Sequence, residues 1–143
     1  MQDGVLQERR EEPTMERVTG IGGIFFKAKK PAQLTAWYRK HLGLPSTPCG
    51  VPVVFTWREG PGRGRRAETV WSPFPSTTDY FAPSKAPFMV NYRVRDLDAM
   101  LRQLRRAKAK VDPKIEDSEF GRFAWVMDPE GNRIELWEPP ADE

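Results

Sequence analysis

The chain has 143 residues, 38% of them hydrophobic and 30% charged, and carries a formal net charge of +3 from 23 basic and 20 acidic side chains. That length suits one domain with a real core. The small excess of positive charge, interleaved with acids, argues against a nucleic-acid partner, and no apolar run approaches the ~20 residues of a membrane helix. The N-terminus lacks the apolar core of a secretory signal. The single Cys49 excludes an internal disulfide and fits a reducing cytosol, so a cytoplasmic protein is expected.

Residues 1–17 are polar, charged and without period, which predicts a flexible tail; Met15, just before the first structured segment, is a candidate natural start. Residues 18–29 predict a strand with Ile24, Phe26 and Ala28 on one face and Gly23, Phe25 and Lys27 on the other. Its glycines mark close backbone approach, and they lack the spacing of a dinucleotide fingerprint. Pro31 opens a helix at its first position, with Leu34, Tyr38 and Leu42 as its stripe and Trp37 and His41 beside it. Gly43 closes it as a left-handed cap. His41 is the sole histidine, and one histidine does not build an ordinary zinc site.

A second strand is expected over 51–57, a flexible glycine-rich connection over 58–67, and a third strand over 68–74. Residues 75–86 read as a crossing loop with a short edge strand at 79–81. Residues 87–95 repeat the first strand, with Val90, Tyr92 and Val94 on one face and Met89, Asn91 and Arg93 on the other. Asp96 caps a helix whose stripe is Leu97, Met100, Leu101 and Leu104, with arginines mostly opposite. A short strand follows at 109–115, then a charged connection at 116–121. The chain closes on a hairpin, 122–128 and 132–138, turned by Asp128-Pro129-Glu130-Gly131-Asn132. Alternation after the turn sets Ile134 and Leu136 on one face and Arg133, Glu135 and Trp137 on the other.

The pattern is strand–helix–three strands, twice. A shift of 66 residues lays Phe26 on Tyr92, Ala28 on Val94 and Leu34 on Met100. Two such units bury their faces by packing side by side, which predicts an α+β fold: paired βαβββ modules, about 18–81 and 87–139, in one curled mixed sheet with helices outside. The segments 23–44, 90–104 and above all WVMDPEGNRIELWEP at 125–139 resemble the vicinal oxygen chelate superfamily, which includes glyoxalase I, extradiol dioxygenases and bleomycin-resistance proteins. That resemblance covers residues 18–139. It implies a sheet curled round a ligand pocket, commonly in homodimers.

The resemblance also implies four metal-ligand positions on the inner sheet surface, falling on Gly23, near Trp71, on Met89 and on Glu135. Three of them offer no nitrogen or oxygen donor, so no metal or other cofactor is expected, with Glu135 the one retained ligand position. Glu68 lies close to Trp71, but alternation points it to the opposite face. The expected pocket is lined by Phe25, Trp57, Trp71, Met89, Asn91, Arg93, Trp125 and Trp137, with Arg93 available to pair with Glu135 or with an anionic ligand. Two functions follow. One is binding of a small organic ligand in a tryptophan-lined cleft. The other is lyase or isomerase chemistry, with a desolvated Glu135 as catalytic general base or residual metal ligand. A structural or regulatory module presenting the Arg102, Arg105 and Arg106 face is a third reading.

Overall fold

A computed structural model describes residues 15–45, 52–61 and 64–141. Residues 1–14 of the expected tail and Cys49 lie outside the described residues. Glu16 is tied down: its N–H donates to Gln103 Oε1 at 2.8 Å, and Gln103 Nε2 donates back to its carbonyl at 3.2 Å.

The first half consists of β1 (Val18–Ala28), α1 (Pro31–Leu42), β2 (Val53–Glu59) and β3 (Arg65–Pro75). Pro31 opens α1, and Gly43 closes it at φ 68, its N–H donating to Arg39 O. The connection expected over 58–67 is shorter, because β2 and β3 continue pairing through Arg58↔Arg66 and Glu59↔Arg65. Charged side chains are tolerated there because β2 is an edge strand with one flank in water. No strand forms at 79–81. Residues 76–82 make turns instead, with Thr78 N–H donating to Pro75 O at 2.9 Å and Ala82 N–H to Asp79 O at 3.0 Å.

The second half consists of β4 (Phe88–Val94), α2 (Leu97–Arg106), β5 (Lys110–Ser118), β6 (Gly121–Met127) and β7 (Arg133–Glu138). Asp96 caps α2 through its Oδ1, which accepts from Ala99 N–H at 3.0 Å. Most of the charged connection expected over 116–121 is strand: Glu116↔Phe123, Asp117↔Arg122 and Ser118↔Gly121 pair across a tight turn. β5 is the other edge of the sheet, where alternating charges again meet water. The β6–β7 turn is built on Asp128, whose Oδ1 accepts from Glu130 N–H at 2.9 Å and Asn132 N–H at 2.8 Å, with Gly131 at φ 84.

All seven strands form one mixed sheet in the order β2-β3-β1-β4-β7-β6-β5. β1 and β3 run parallel, as do β4 and β7, and the halves join where β1 and β4 pair antiparallel through Gly23↔Asn91 and Phe25↔Met89. On the outer face, α2 lays Leu97, Met100 and Leu101 against Val94, Ala124, Val126 and Leu136. Together these residues bury the larger apolar cluster on that side, and burial of this kind stabilises by roughly 2 kcal/mol per large aliphatic side chain. Ile24, expected beneath the helices, remains 41% exposed. α1 packs over β3 instead, through Tyr38 and Trp71.

Candidate functional site

Side chains from six strands converge on one cleft of about 800 Å³ on the face opposite the helices, so the sheet curves round it. β1 contributes Gly22 and Phe25, β2 Val54, β3 Glu68, Val70 and Phe74, β4 Asn91, β6 Phe123, and β7 Glu135 and Trp137. The turn after β3 adds Tyr80, and the β5–β6 turn adds Glu119 and Phe120. Aromatic rings make up much of the walls: Phe74 stacks on Tyr80 at 5.5 Å between centroids, and Phe123 stacks on Trp137 at 5.9 Å. A large, apolar cleft with a few polar groups is how small-molecule sites are usually built.

Glu135 is the polar centre. It is 2% exposed, and Arg93, expected as its partner, pairs with Glu59. Three neutral donors hold it instead. Asn91 Nδ2 donates to Oε1 at 2.7 Å, Trp125 Nε1 donates to Oε2 at 3.0 Å, and the Tyr80 hydroxyl also donates to Oε2. Burial pushes the Glu135 carboxyl above the ordinary range, while these three bonds and the charge of Arg133 pull it back. Burial and the neighbouring Glu135 push the Tyr80 phenol strongly up, so it stays a donor at neutral pH.

Of the eight residues expected to line the pocket, Phe25, Asn91 and Trp137 do so together with Glu135. Met89 and Trp125 face the same way but are buried beneath, in a cluster with Phe25 and Phe81. Arg93 lines the next cavity along the sheet with Glu59 and Arg65, and the Trp57 ring lies against its guanidinium. There Arg93 Nε meets Glu59 Oε2 at 3.3 Å, and its guanidinium lies 5.7 Å from the Trp57 ring and 5.1 Å from the Trp137 ring. Arg133 takes the carbonyl of Ala82 at 2.6 Å and stacks on Trp125 at 5.0 Å.

Trp71 is a correction. It packs edge-on to Phe26 at 5.2 Å and against Tyr38 of α1 at 4.9 Å, so it belongs to the helix side. Alternation along β3 holds, but its two faces are exchanged relative to expectation. Glu68 therefore lines the cleft without any bulge. In ETVWSPF, Val70 and Phe74 make as good an apolar face as Trp71 and Pro73, so period alone does not choose between them. Tyr80 was also missed. It lies 55 residues from Glu135 in the chain, in a segment whose local pattern says nothing about the carboxylate it meets.

The parallel registers relocate the last ligand position. Asn91 pairs with Glu135 across β4–β7, and Phe25 pairs with Ser72 across β1–β3, so Ser72 stands where Glu135 stands in the other half. The four positions thus carry Gly23, Ser72, Met89 and Glu135. No group of three or more His, Cys, Asp or Glu side chains among the described residues has metal-binding geometry. Two N–H groups and a hydroxyl proton already take three of the roughly four acceptor sites of Glu135, which leaves room for one further donor and not for chelation of a metal ion. This donor set does not fit the superfamily's divalent ion.

Residues 23–137 match the glyoxalase-like domain family, most of the chain. The chain belongs to that family. No curated protein is similar to this glyoxalase-like chain in sequence. Its fold is similar to methylmalonyl-CoA epimerase from Mycobacterium tuberculosis, with a TM-score of 0.56 and 20% identity over 92% of this chain and 95% of that one. A methylmalonyl-CoA epimerase from Streptomyces coelicolor, in complex with 2-nitronate-propionyl-CoA, gives a TM-score of 0.63 and 16% identity over 87% of this chain and 100% of that one. A glyoxalase/bleomycin resistance protein/dioxygenase superfamily member from Vibrio splendidus 12B01 gives a TM-score of 0.52 and 12% identity over 87% and 99%. At these identities the likeness is one of fold, and one fold hosts many chemistries.

Proposed function

We propose that this glyoxalase-like chain binds a small organic ligand in the cleft, and that it does so without a metal ion. The observation that carries this reading is the pairing of an aromatic cavity of about 800 Å³ with a buried carboxylate held only by neutral donors. A carboxylate so placed anchors one polar group of a ligand, while the rings cover its apolar body. Trp137 lines the cleft, so its fluorescence reports occupancy. Titration with metabolites and aromatic compounds is expected to quench that signal saturably in wild type and not in Trp137→Phe. Stoichiometric zinc or nickel retained through Glu135 would overturn the metal-free part.

A second reading, general-base catalysis by Glu135, is supported by the raised pKa of its carboxyl. Abstraction of an acidic ligand C–H proton would turn the Glu135 carboxylate into the acid and leave the electron pair on the ligand as a carbanion or enolate. That anion then takes a proton back from Glu135 after exchange with solvent, while the Tyr80 hydroxyl stays a donor to Glu135 throughout. Deuterium wash-in at an acidic C–H of a bound compound, followed by NMR, separates the readings. Catalysis predicts exchange lost in Glu135→Gln with affinity kept, and binding alone predicts no exchange in either protein.

The assembly is proposed to be a homodimer in the cytoplasm. Exposed Trp37 and Leu42 on α1, at 52% and 61%, support an apolar contact surface, and light scattering of the purified protein tests it.

A further inference from the structure

The charged side chains among the described residues that line the cleft are all carboxylates. They are Glu68, Glu119 and Glu135, and none of the described lining residues is Lys, Arg or His, although the chain as a whole is basic. The donors are already engaged: the Tyr80 hydroxyl and Asn91 Nδ2 bond to Glu135, and Trp137 Nε1 donates to Phe120 O at 2.7 Å. A carboxylate at 2.7 Å selects the NH₂ end of Asn91, which leaves Oδ1 turned over Gly22 on the same wall. Asn91 is 2% exposed, and its Oδ1 has no hydrogen-bond partner. A buried acceptor left unfilled is costly, and a ligand N–H would recover that cost. Neighbouring cations do not reverse the sign. Arg66 pairs with Glu68 at 3.3 Å but is 60% exposed and screened. Arg93 is paired with Glu59 behind the Trp137 ring.

We infer that the cleft takes an organic cation: an apolar or aromatic body whose ammonium or amidinium N–H groups reach Glu135 and Asn91 Oδ1. This rests on the cleft being a ligand site. The stacked Phe123–Trp137 and Phe74–Tyr80 pairs offer ring faces that attract a cation as well as its apolar body. An anionic ligand would meet three carboxylates with no countercharge among the described lining residues, and Arg93, expected to bind one, serves another cavity.

The test is calorimetric titration of the full chain at neutral pH with three probes of one shape: naphthylmethylamine, naphthylmethanol and naphthoate. The ammonium is expected to bind about tenfold tighter than the alcohol, and the carboxylate more weakly still. Glu135→Gln is expected to remove most of the preference for the amine while keeping affinity for the alcohol. If that variant does not fold, the double variant Glu68→Gln/Glu119→Gln at the mouth is expected to reduce the preference several-fold. Equal binding of alcohol and amine, or tighter binding of naphthoate, overturns the cation assignment and leaves the cleft a ligand site. Binding of none of the three overturns both.

Discussion

Asn91 and Glu135 face each other across the parallel β4–β7 pair, and the Asn91 amide donates to Glu135 Oε1 at 2.7 Å. Asn91→Ala removes a donor from a buried carboxylate, which costs about 2 kcal/mol when the carboxylate is charged. The loss in urea unfolding is expected to be larger above the Glu135 titration than below it, where the protonated carboxyl needs the donor less. An equal loss at both would mean that the bond does not act on the charged form.

Stability should fall with rising pH through the Glu135 titration. Burial raises its folded carboxyl above the ordinary 4.5, so the folded state holds that proton more tightly than the unfolded state does. Its contribution is fully present below the unfolded value and is lost as pH rises through the folded one. A tenfold difference in proton affinity between the two states is worth about 1.4 kcal/mol. Asp128 works in the opposite sense: bonds from Asn132 lower its carboxyl, so its contribution is present at neutral pH and lost in acid. Urea unfolding across mild acid to neutral pH should show the falling slope in wild type and lose it in Glu135→Gln. An unchanged slope in the variant would assign it elsewhere.

Glycines 22 and 43 are needed for different reasons. A Cβ on Gly22 would run into Asn91 Oδ1 and come within 2.8 Å of Trp137 Cε3 and 3.0 Å of Arg93 Cγ. Gly22→Ala is expected to destabilise by about 1–3 kcal/mol through overpacking and to disturb ligand binding at the cleft wall. A Cβ on Gly43 meets nothing within 4 Å, but the residue sits at φ 68. Gly43→Ala should cost about 1 kcal/mol and leave the cleft unchanged. Thermal melts with binding titrations distinguish the two.

Trp71 divides stability from binding. Its ring packs on Phe26 and Tyr38 on the helix side. Trp71→Ala should therefore lower stability by roughly 2–3 kcal/mol, less than for a fully buried tryptophan, with probe affinity unchanged. A tenfold loss of affinity in a folded variant would return Trp71 to the cleft.

Much of this was legible in residue order because local chemistry acts at short range. Pro31 and Gly43 bound α1, Asp96 caps α2, and Asp128 with Gly131 turns the last hairpin. Alternation placed Phe25, Met89, Asn91, Glu135 and Trp137 on one face of the sheet. It did not separate those that line the cleft from Met89, which fills the floor beneath it. The edge strands β2 and β5 ran further than expected because exposed charged pairs cost little there.

By itself, the sequence determined the order of the two helices and of the seven strands that form, the two-half α+β plan, and the placing of Glu135 on the strand face opposite Ile134 and Leu136, all of which follow from periods of two and 3.6 and from turn chemistry. The third strand expected after α1, at 79–81, does not form, so the first half is βαββ. Tertiary structure alone decided which face of β3 meets the helix, since both faces of that strand are apolar enough to be buried. It also decided what surrounds Glu135. Tyr80 arrives from a turn 55 residues away, Asn91 from the neighbouring strand and Trp125 from across the hairpin. Arg93 is drawn aside to Glu59. A buried charge takes whichever donors the folded sheet brings within reach, and no local pattern records that choice.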